Sequence, residues 1–548
     1  MRVALKIVFA GLVFAAVGCG GAEPSDADRQ APILDDATAS HSKPNILLIV
    51  ADDLGFTDLG AFGGEISTPH LDQLARDGLR LTNFHAGPSC APTRAMLLTG
   101  TDNHRAGMGS QSGLETENQK GHRQYLNKLL PEVPTVAEHF RTLGYRTVAS
   151  AKWHLGHEAP HLPGARGFDR SFVLLEGGGG HFDATPLFER YGAAHWLEDD
   201  QPYELPENFY SSDYMTDKLM EYLDEGESPF FAYLGYTAPH WPLQAPPEDL
   251  ARYRGRYDAG WQALHQARMA GAKREGVIAA DAQGVASEPG VVSWQNLDEQ
   301  EQAVAVAKME AYAAMVDRID QNIGRLLGYL AQRGQLNNTV VFFMADNGAE
   351  AHAMELLDRV RPWVTANFDN SAENIGTGSS YVTLGPSWAR ATAAPFRDSK
   401  SKMAEGGIRV PAFVRLPGGK AGIDGSFMRV MDLAPTFLQL AGGQVPADML
   451  GRSLFDRWSG GNAAYSPNET IAGETYNRKY VYRGNWKLLY QEAPYGTGTW
   501  ELYNLAEDVE EQNNLAAAYP ELVAELTAAY ERYASDVGVI VPDEPIYY

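Results

Sequence analysis

Four largely apolar runs punctuate the chain, and each ends in polar residues able to do chemistry. Pro44-Asn45-Ile46-Leu47-Leu48-Ile49-Val50-Ala51 runs into Asp52-Asp53, and Thr339-Val340-Val341-Phe342-Phe343-Met344-Ala345 runs into Asp346-Asn347-Gly348. Phe230-Phe231-Ala232-Tyr233-Leu234 leads to Ala238-Pro239-His240, and Tyr145-Arg146-Thr147-Val148-Ala149 leads to Lys152-Trp153-His154. Short, nearly continuous apolar runs predict strands buried on both faces. Helical patterns separate them: a long one over 299–332, and a short one that Thr68-Pro69 opens and Gly78 closes. Strands alternating with helices predict an α/β fold, a large, mostly parallel sheet sandwiched by helices. Ligands bind such sheets beyond the C-terminal strand ends, so the four polar endings are expected to converge on one site.

From about residue 468 the texture changes. Tyr480-Val481-Tyr482-Arg483-Gly484-Asn485-Trp486-Lys487-Leu488-Leu489-Tyr490 and Trp500-Glu501-Leu502-Tyr503 predict short antiparallel strands around turns, and 519–534 an amphipathic helix. The division expected is a catalytic domain over 44–467 and a smaller C-terminal α+β subdomain over 468–548. Residues 258–292, rich in Ala and Gly, read as a partly helical surface insertion of no visible chemistry.

The N-terminus reads as an export signal. Met1-Arg2 and Lys6 supply positive charge, and 7–17 is an apolar run too short to span a membrane. It ends in Ala16-Val17-Gly18-Cys19, which resembles a bacterial lipobox and implies a signal over 1–19 with a lipid on Cys19. Plain secretion with cleavage near 18–22 is the alternative. Residues 20–43, small, polar and acidic, read as a disordered tether. The protein is therefore expected in the periplasm, touching a membrane only through its lipid anchor. With Cys19 lipidated or removed, Cys90 keeps no disulfide partner, a liability for a thiol in an oxidising compartment. The net charge of −25 argues against a nucleic-acid partner and is read as solubility.

The densest candidate segment is Pro88-Ser89-Cys90-Ala91-Pro92-Thr93-Arg94-Ala95-Met96-Leu97-Leu98-Thr99-Gly100. Pro92 suits a first helical turn, which puts Cys90 at a helix N-terminus, where backbone N–H groups stabilise an anion. Arg94, four residues on, returns to the same face and can neutralise residue 90 or an anion beside it. Asp52, Asp53, Asp346 and Asn347 offer hard oxygen ligands at two strand ends, a set that favours calcium or magnesium over zinc. In an extended segment Lys152 and His154 point the same way. A lone His such as His240 is usually structural. Lys400 and Lys402 precede Glu405-Gly406-Gly407, a turn before a strand at 410–416.

The Cys90 segment resembles the type I sulfatase signature, Cys-x-Pro-x-Arg with its Leu-Leu-Thr-Gly tail. Gly144-Tyr145-Arg146-Thr147-Val148-Ala149-Ser150-Ala151-Lys152-Trp153-His154 resembles the second sulfatase signature, with Ala151 where the family usually has Gly. On these motifs the chain is identified as a member of the sulfatase branch of the alkaline-phosphatase-like superfamily, similar to bacterial arylsulfatases through Ala238-Pro239-His240-Trp241-Pro242-Leu243-Gln244 and 380–397.

The resemblance implies that a maturation enzyme oxidises Cys90 to formylglycine. The hydrated aldehyde attacks sulfur through one hydroxyl, and the other then releases sulfate as the aldehyde reforms. It also implies one calcium ion on Asp52, Asp53, residue 90, Asp346 and Asn347. Lys152 would grip sulfate, His154 the diol, and His240 the sulfate or the leaving oxygen. The family spacing, a Lys five residues before the Glu, selects Lys400, with Lys402 as competitor. The implied substrate is a sulfated small molecule or saccharide, cleaved to alcohol or phenol plus sulfate. Tyr381, Trp388 and Phe396 would wall an aromatic substrate or pack the core. Two other readings stay open: a phosphoester or phosphonate monoester hydrolase of the same superfamily, and a non-catalytic calcium-binding surface lipoprotein whose Cys90 stays a thiol.

Overall fold

Ile46, Leu47, Leu48, Ile49 and Val50 make the strand Asn45–Ala51 apolar on both faces, and all of it is buried. In the computed structural model, which describes residues 43–284 and 291–547, this strand lies inside a ten-stranded sheet. The expected export signal, lipobox and most of the tether, residues 1–42, lie outside the described residues.

Asn45–Ala51 pairs in parallel with Thr339–Ala345 on one side and with Phe230–Gly235 on the other. Arg146–Lys152 and Arg170–Leu174 extend the parallel order. The flanks reverse direction: Ala412–Arg415 is antiparallel to Thr339–Ala345, and Trp196–Glu198 to Arg170–Leu174. The sheet is thus mixed, with a parallel centre. Its strands are buried on both faces because helices cover both, and each such Leu or Ile contributes about 1.5–3 kcal/mol. Pro69–Asp77, Ser211–Asp224 and Pro247–Tyr253 pack on the 34-residue helix Glu299–Gln332. Asp298 and Glu301 form a capping box that fixes where that helix starts. Cys90–Thr99 and Val136–Thr142 pack with Leu433–Leu440 as a second group.

A second sheet follows. Thr470–Thr475, Arg478–Arg483, Trp486–Tyr490 and Trp500–Asn504 pair antiparallel in sequence order. Pro520–Val537 lies on it, with Leu526 and Tyr530 packed on Val481, Leu488 and Leu502. Buried charge ties the two sheets together. Glu405 accepts from Lys487 Nζ at 2.8 Å, from Arg409 at 3.2 Å and from Tyr482, and it meets His85 Nε2 at 3.3 Å. Burial works against its charge, yet Lys487 and His85 hold the Glu405 carboxyl well below the usual range.

Three expectations change in detail. Gly406 and Gly407 form one helical turn, Glu405–Ile408, pressed against the carbonyls of residues 397–402, where a side chain has no room. The strand after it is shorter, Ala412–Arg415. The insertion at 258–292 is not confined to the surface. Its helix Gly260–Glu275 buries Trp261 against Trp388 and buries Arg268, which bonds Asp58 and Glu65. Among the described residues, no helix is long and apolar enough to cross a membrane.

Candidate active site

Parallel alignment of the central strands brings their C-terminal ends into register, and the polar endings meet there. Backbone hydrogen bonds lock them: Asp52 N–H donates to the Ala238 carbonyl at 3.1 Å, and Asp346 N–H to the Ala51 carbonyl at 3.1 Å. Asp53 leaves its strand at φ 65°, a left-handed conformation uncommon for a residue other than Gly. Its N–H donates to Asp346 Oδ1 at 3.2 Å, and Asp53 Oδ1 accepts from Asn347 Nδ2 at 2.6 Å.

Cys90 opens the helix Cys90–Thr99, and its buried sulfur donates to Asp52 Oδ1 at 3.3 Å and Asp53 Oδ1 at 3.9 Å. Arg94, one turn further, is fully buried. Among the described residues its hydrogen bonds and ion pairs go to groups beside residue 90, not to residue 90 itself. Its Nε and Nη2 bind Asp346 Oδ2 at 3.1 and 2.8 Å, while Nη1 donates to the Lys152 carbonyl and Tyr233 hydroxyl, both at 3.0 Å. Lys152 Nζ holds Asp52 Oδ2 at 2.5 Å. Lys400 Nζ holds Asp53 Oδ2 at 2.8 Å and faces Glu350 Oε2 at 3.3 Å. Lys402 turns away to Asp398 at 2.8 Å. Of the two lysines, only Lys400 is at the cluster.

Two imidazoles flank Cys90. His154 and Lys152 do not share a direction through strand alternation, because the strand stops at Lys152 and His154 sits at φ 57°. That turn carries the His154 ring to the cavity. Gly177 packs on it so closely that a Cβ there would lie 2.5 Å from His154 Cε1. His240 Nδ1 donates to the Trp241 carbonyl at 2.7 Å, which leaves Nε2 facing Asp53 Oδ2 at 3.7 Å. Burial, with Lys152 beside His154 and Lys400 beside His240, drives both rings well below the ordinary imidazole range, so both are neutral.

A cavity of about 100 Å³ opens above Cys90, with His154, His240 and Glu350 in its wall. Leu187, Phe188, Tyr191, Trp241 and Met354 supply its apolar face. Of the two roles left open for Tyr381, Trp388 and Phe396, the packing role holds. Trp388 packs among Tyr257, Trp261 and Trp294, Phe396 against Phe56, and Tyr381 behind Trp241; none of the three lines the cavity. An aromatic residue gives the same sequence signal in a core as in a pocket wall.

The family model for sulfatases matches residues 44–443. The chain belongs to the sulfatase family. A second model, for the C-terminal region of N-sulphoglucosamine sulphohydrolase, matches residues 396–535 of this sulfatase. An uncharacterized sulfatase of Schizosaccharomyces pombe is 40% identical over 542 residues, covering 92% of this chain and 96% of its own. An arylsulfatase of Klebsiella aerogenes is 37% identical over 417 residues, covering 74% of this chain and 88% of its own. In structure the sulfatase is similar to Ps i-CgsB, crystallised with k-i-k-neocarrahexaose, with a TM-score of 0.66 at 24% identity over 92% of this chain and 95% of that one. The sulfatase has the alkaline-phosphatase-like fold and is a sulfuric ester hydrolase.

The sulfatase's acidic cluster fits a hard cation. Burial and the neighbouring Asp346 push Asp52 up to about 7 despite Lys152 and Arg94, and burial raises Asp53 as well. Asp346 is held below its ordinary value, since Arg94, Lys152 and Lys400 outweigh its burial. Asn347 Oδ1 is buried with no hydrogen-bond partner, an acceptor left for something outside the protein's own groups. Asp52, Asp53, Cys90 and His240 bring candidate ligand atoms within 4.8 Å of one another.

The sequence reading missed several residues of the sulfatase site. Glu350 stands four residues past Asp346, buried between Lys400 and His352. Burial opposes its charge, but Lys400 and His352 bring it down to about 2. His181 Nε2 meets the His240 carbonyl at 3.0 Å, and Gly177 and Gly178 seat the two imidazoles. The run Glu176-Gly177-Gly178-Gly179-Gly180-His181 was the available signal, since consecutive glycines mark close approach to a neighbouring group.

Proposed function

We propose that this sulfatase hydrolyses sulfate monoesters, aryl sulfates among them, through formylglycine formed at residue 90 and one calcium ion. The observation that carries the reading is the setting of Cys90. Burial, then Asp346 and Asp52, push its thiol well above the ordinary cysteine range. Nucleophilic cysteines sit in electropositive surroundings that favour thiolate, and this one sits against two carboxylates. Such surroundings suit an oxygen-bearing group that shares a cation with those carboxylates. Likeness to the Klebsiella aerogenes arylsulfatase supports aryl sulfates as substrates.

As formylglycine, residue 90 supplies an aldehyde whose hydrate carries the oxygen nucleophile and frees sulfate when the aldehyde reforms. Asp52, Asp53, Asp346 and Asn347, with residue 90, would hold calcium, which when bound makes that hydrate more acidic and polarises the ester. The other groups orient and neutralise. Lys152 and Lys400, each one carboxylate away from residue 90, supply positive charge for the sulfate oxygens. Arg94 holds Asp346 and Asp52 in place from below. His154, neutral with a free buried Nδ1, accepts a hydrogen bond from the hydrate. His240 keeps its Nδ1–H on the Trp241 carbonyl, which leaves Nε2 as an acceptor; with the anion bound, Nε2 takes up a proton from solvent and passes it to the leaving oxygen.

Mass spectrometry of the peptide containing residue 90, from the native host, tests this. Formylglycine is about 18 Da lighter than cysteine. An unmodified thiol in active protein contradicts the proposal, and a thiol in inactive protein favours a calcium-binding surface protein instead. The same reading takes 1–19 as an export signal with lipid on Cys19 and periplasmic residence. Recovery of all the protein in the soluble periplasmic fraction would overturn the anchor.

A further inference from the structure

Burial orders the cavity from floor to mouth. Cys90, His240, Trp241 and Glu350 are buried, whereas Arg190 and Arg359 are exposed. The two arginines come from separate loops, one beyond the glycine run that starts at Gly177 and one beyond the strand end at Asp346. Among the described residues they are the only exposed charged groups in the lining, and Glu350 is its only carboxylate. Glu350 is already neutralised by Lys400 and His352.

Neither arginine is paired with a carboxylate among the described residues. Arg190 stacks on Phe188 and Tyr191, 4.8 Å from each ring centre, and gives one N–H to the Tyr191 hydroxyl at 2.9 Å. That stacking fixes the plane of its guanidinium and leaves most of its five donors free. Near Arg359, Asp358 pairs with Arg361 at 3.0 Å and Glu355 with Lys308 at 2.6 Å; Glu189, the neighbour of Arg190 in the chain, is exposed and is not part of the cavity lining. In a protein of net charge −25, two unpaired guanidiniums at one cavity mouth are a local reversal of sign. The same lining carries the apolar side chains of Leu187, Phe188, Trp241 and Met354.

From this arrangement we infer that Arg190 and Arg359 select sulfate esters whose ring carries a second anionic group, a carboxylate or another sulfate, at the end away from the scissile ester. The inference rests on the sulfate-ester reading of the floor. The scissile sulfate meets Lys152, Lys400 and the two imidazoles, the ring lies on the apolar face, and the second anion meets the guanidiniums in partly desolvated, charge-assisted hydrogen bonds. A ring without that anion fills the same slot but leaves the mouth's positive charge uncompensated.

The test uses fully modified full-length protein and pairs of substrates that differ only in the second anion. One pair is 4-sulfooxybenzoate and its methyl ester, a second the 3-isomers, and a third hydroquinone disulfate and 4-methoxyphenyl sulfate. The readout is the ratio of kcat/KM, anionic over neutral, in wild type and in Arg190→Gln, Arg359→Gln and the double variant. Taking that ratio across variants cancels the leaving-group difference. The expected result is a fall of roughly tenfold for each single variant and further for the double. A fall for the carboxylate pairs alone assigns the mouth to carboxylates, and a fall for the disulfate pair alone assigns it to sulfates. A ratio unchanged in all variants overturns the inference while leaving the sulfatase reading intact. Wild-type protein that turns over neither member of any pair overturns the sulfate-ester reading itself.

Discussion

The Cys90 sulfur rests 3.3 Å from Oδ1 of Asp52, whose other oxygen is held by the Lys152 ammonium at 2.5 Å. Residue 90 is therefore an additional donor on a carboxylate already committed to a cation, and its thiol is neutral there. Chemistry at this position needs a different atom from sulfur. Cys90→Ala removes that atom while changing little volume in a helix's first turn. Turnover is expected to fall at least ~1000-fold with the thermal midpoint nearly unchanged. Retention of wild-type kcat/KM by this variant would refute a role for residue 90.

The metal reading predicts that chelation abolishes turnover, that calcium restores it, and that elemental analysis finds one calcium per chain. Asn347→Ala is the informative variant, because its Oδ1 has no partner within the protein. The calcium concentration for half-maximal activity should rise at least ~10-fold. Zinc, or two metals per chain, would contradict the assignment.

Lys400 and Lys402 separate cleanly. Lys400 is buried against Asp53 and Glu350, while Lys402 pairs with Asp398 at the periphery. Lys400→Gln is expected to lower kcat/KM roughly 100-fold or more, and Lys402→Gln to change it less than about threefold. Equal effects in steady-state kinetics would remove Lys400 from the site.

A pH-dependent clasp joins the loop after Cys90–Thr99 to the C-terminal sheet. Buried His104 meets Asp102 at 3.0 Å and Glu474 at 2.8 Å, and Tyr533 donates to Asp102 at 2.8 Å. Burial alone would lower the His104 value, but the hydrogen bonds it donates to Asp102 and Glu474 push it up to about 9, above its ordinary 6.5. A raised folded-state value stabilises fully below about 6.5 and is lost as pH rises through about 9, a contribution on the order of 3 kcal/mol. His104→Gln should therefore lower the thermal midpoint most at pH 6 to 7, and the gap to wild type should narrow by pH 9.5. A gap independent of pH would contradict this.

Much of the site was legible because buried strands announce themselves. Asp52, Asp53, Asp346 and Asn347 follow continuous apolar runs, and parallel registration of such runs leaves little freedom in where their ends meet. Cys90 and Arg94 were legible through a motif whose helix start, at Ser89, is local. His154 reaches the cavity by a route that alternation does not predict: the strand stops at Lys152, and a left-handed turn carries the ring there instead. Glu350 and the arginines of the cavity mouth were not legible, since loops fix them and loop paths have no periodicity, and His181 had only the glycine run before it as a signal. Trp388 and Phe396 were ambiguous for a different reason, as burial decides their role and hydrophobicity alone cannot.

The charge at the proposed site matches a monoanionic sulfate ester better than a phosphate ester. A sulfate monoester carries one negative charge and a phosphate monoester nearly two at neutral pH. Two-metal phosphatases meet that larger charge with a second cation. Among the described residues a single acidic cluster stands beside Lys152 and Lys400, whose charge is already shared with Asp52 and Asp53. The direct measurement is kcat/KM for 4-nitrophenyl sulfate against 4-nitrophenyl phosphate on fully modified, calcium-loaded protein. The account predicts at least a ~100-fold preference for sulfate, and a preference for phosphate would contradict it.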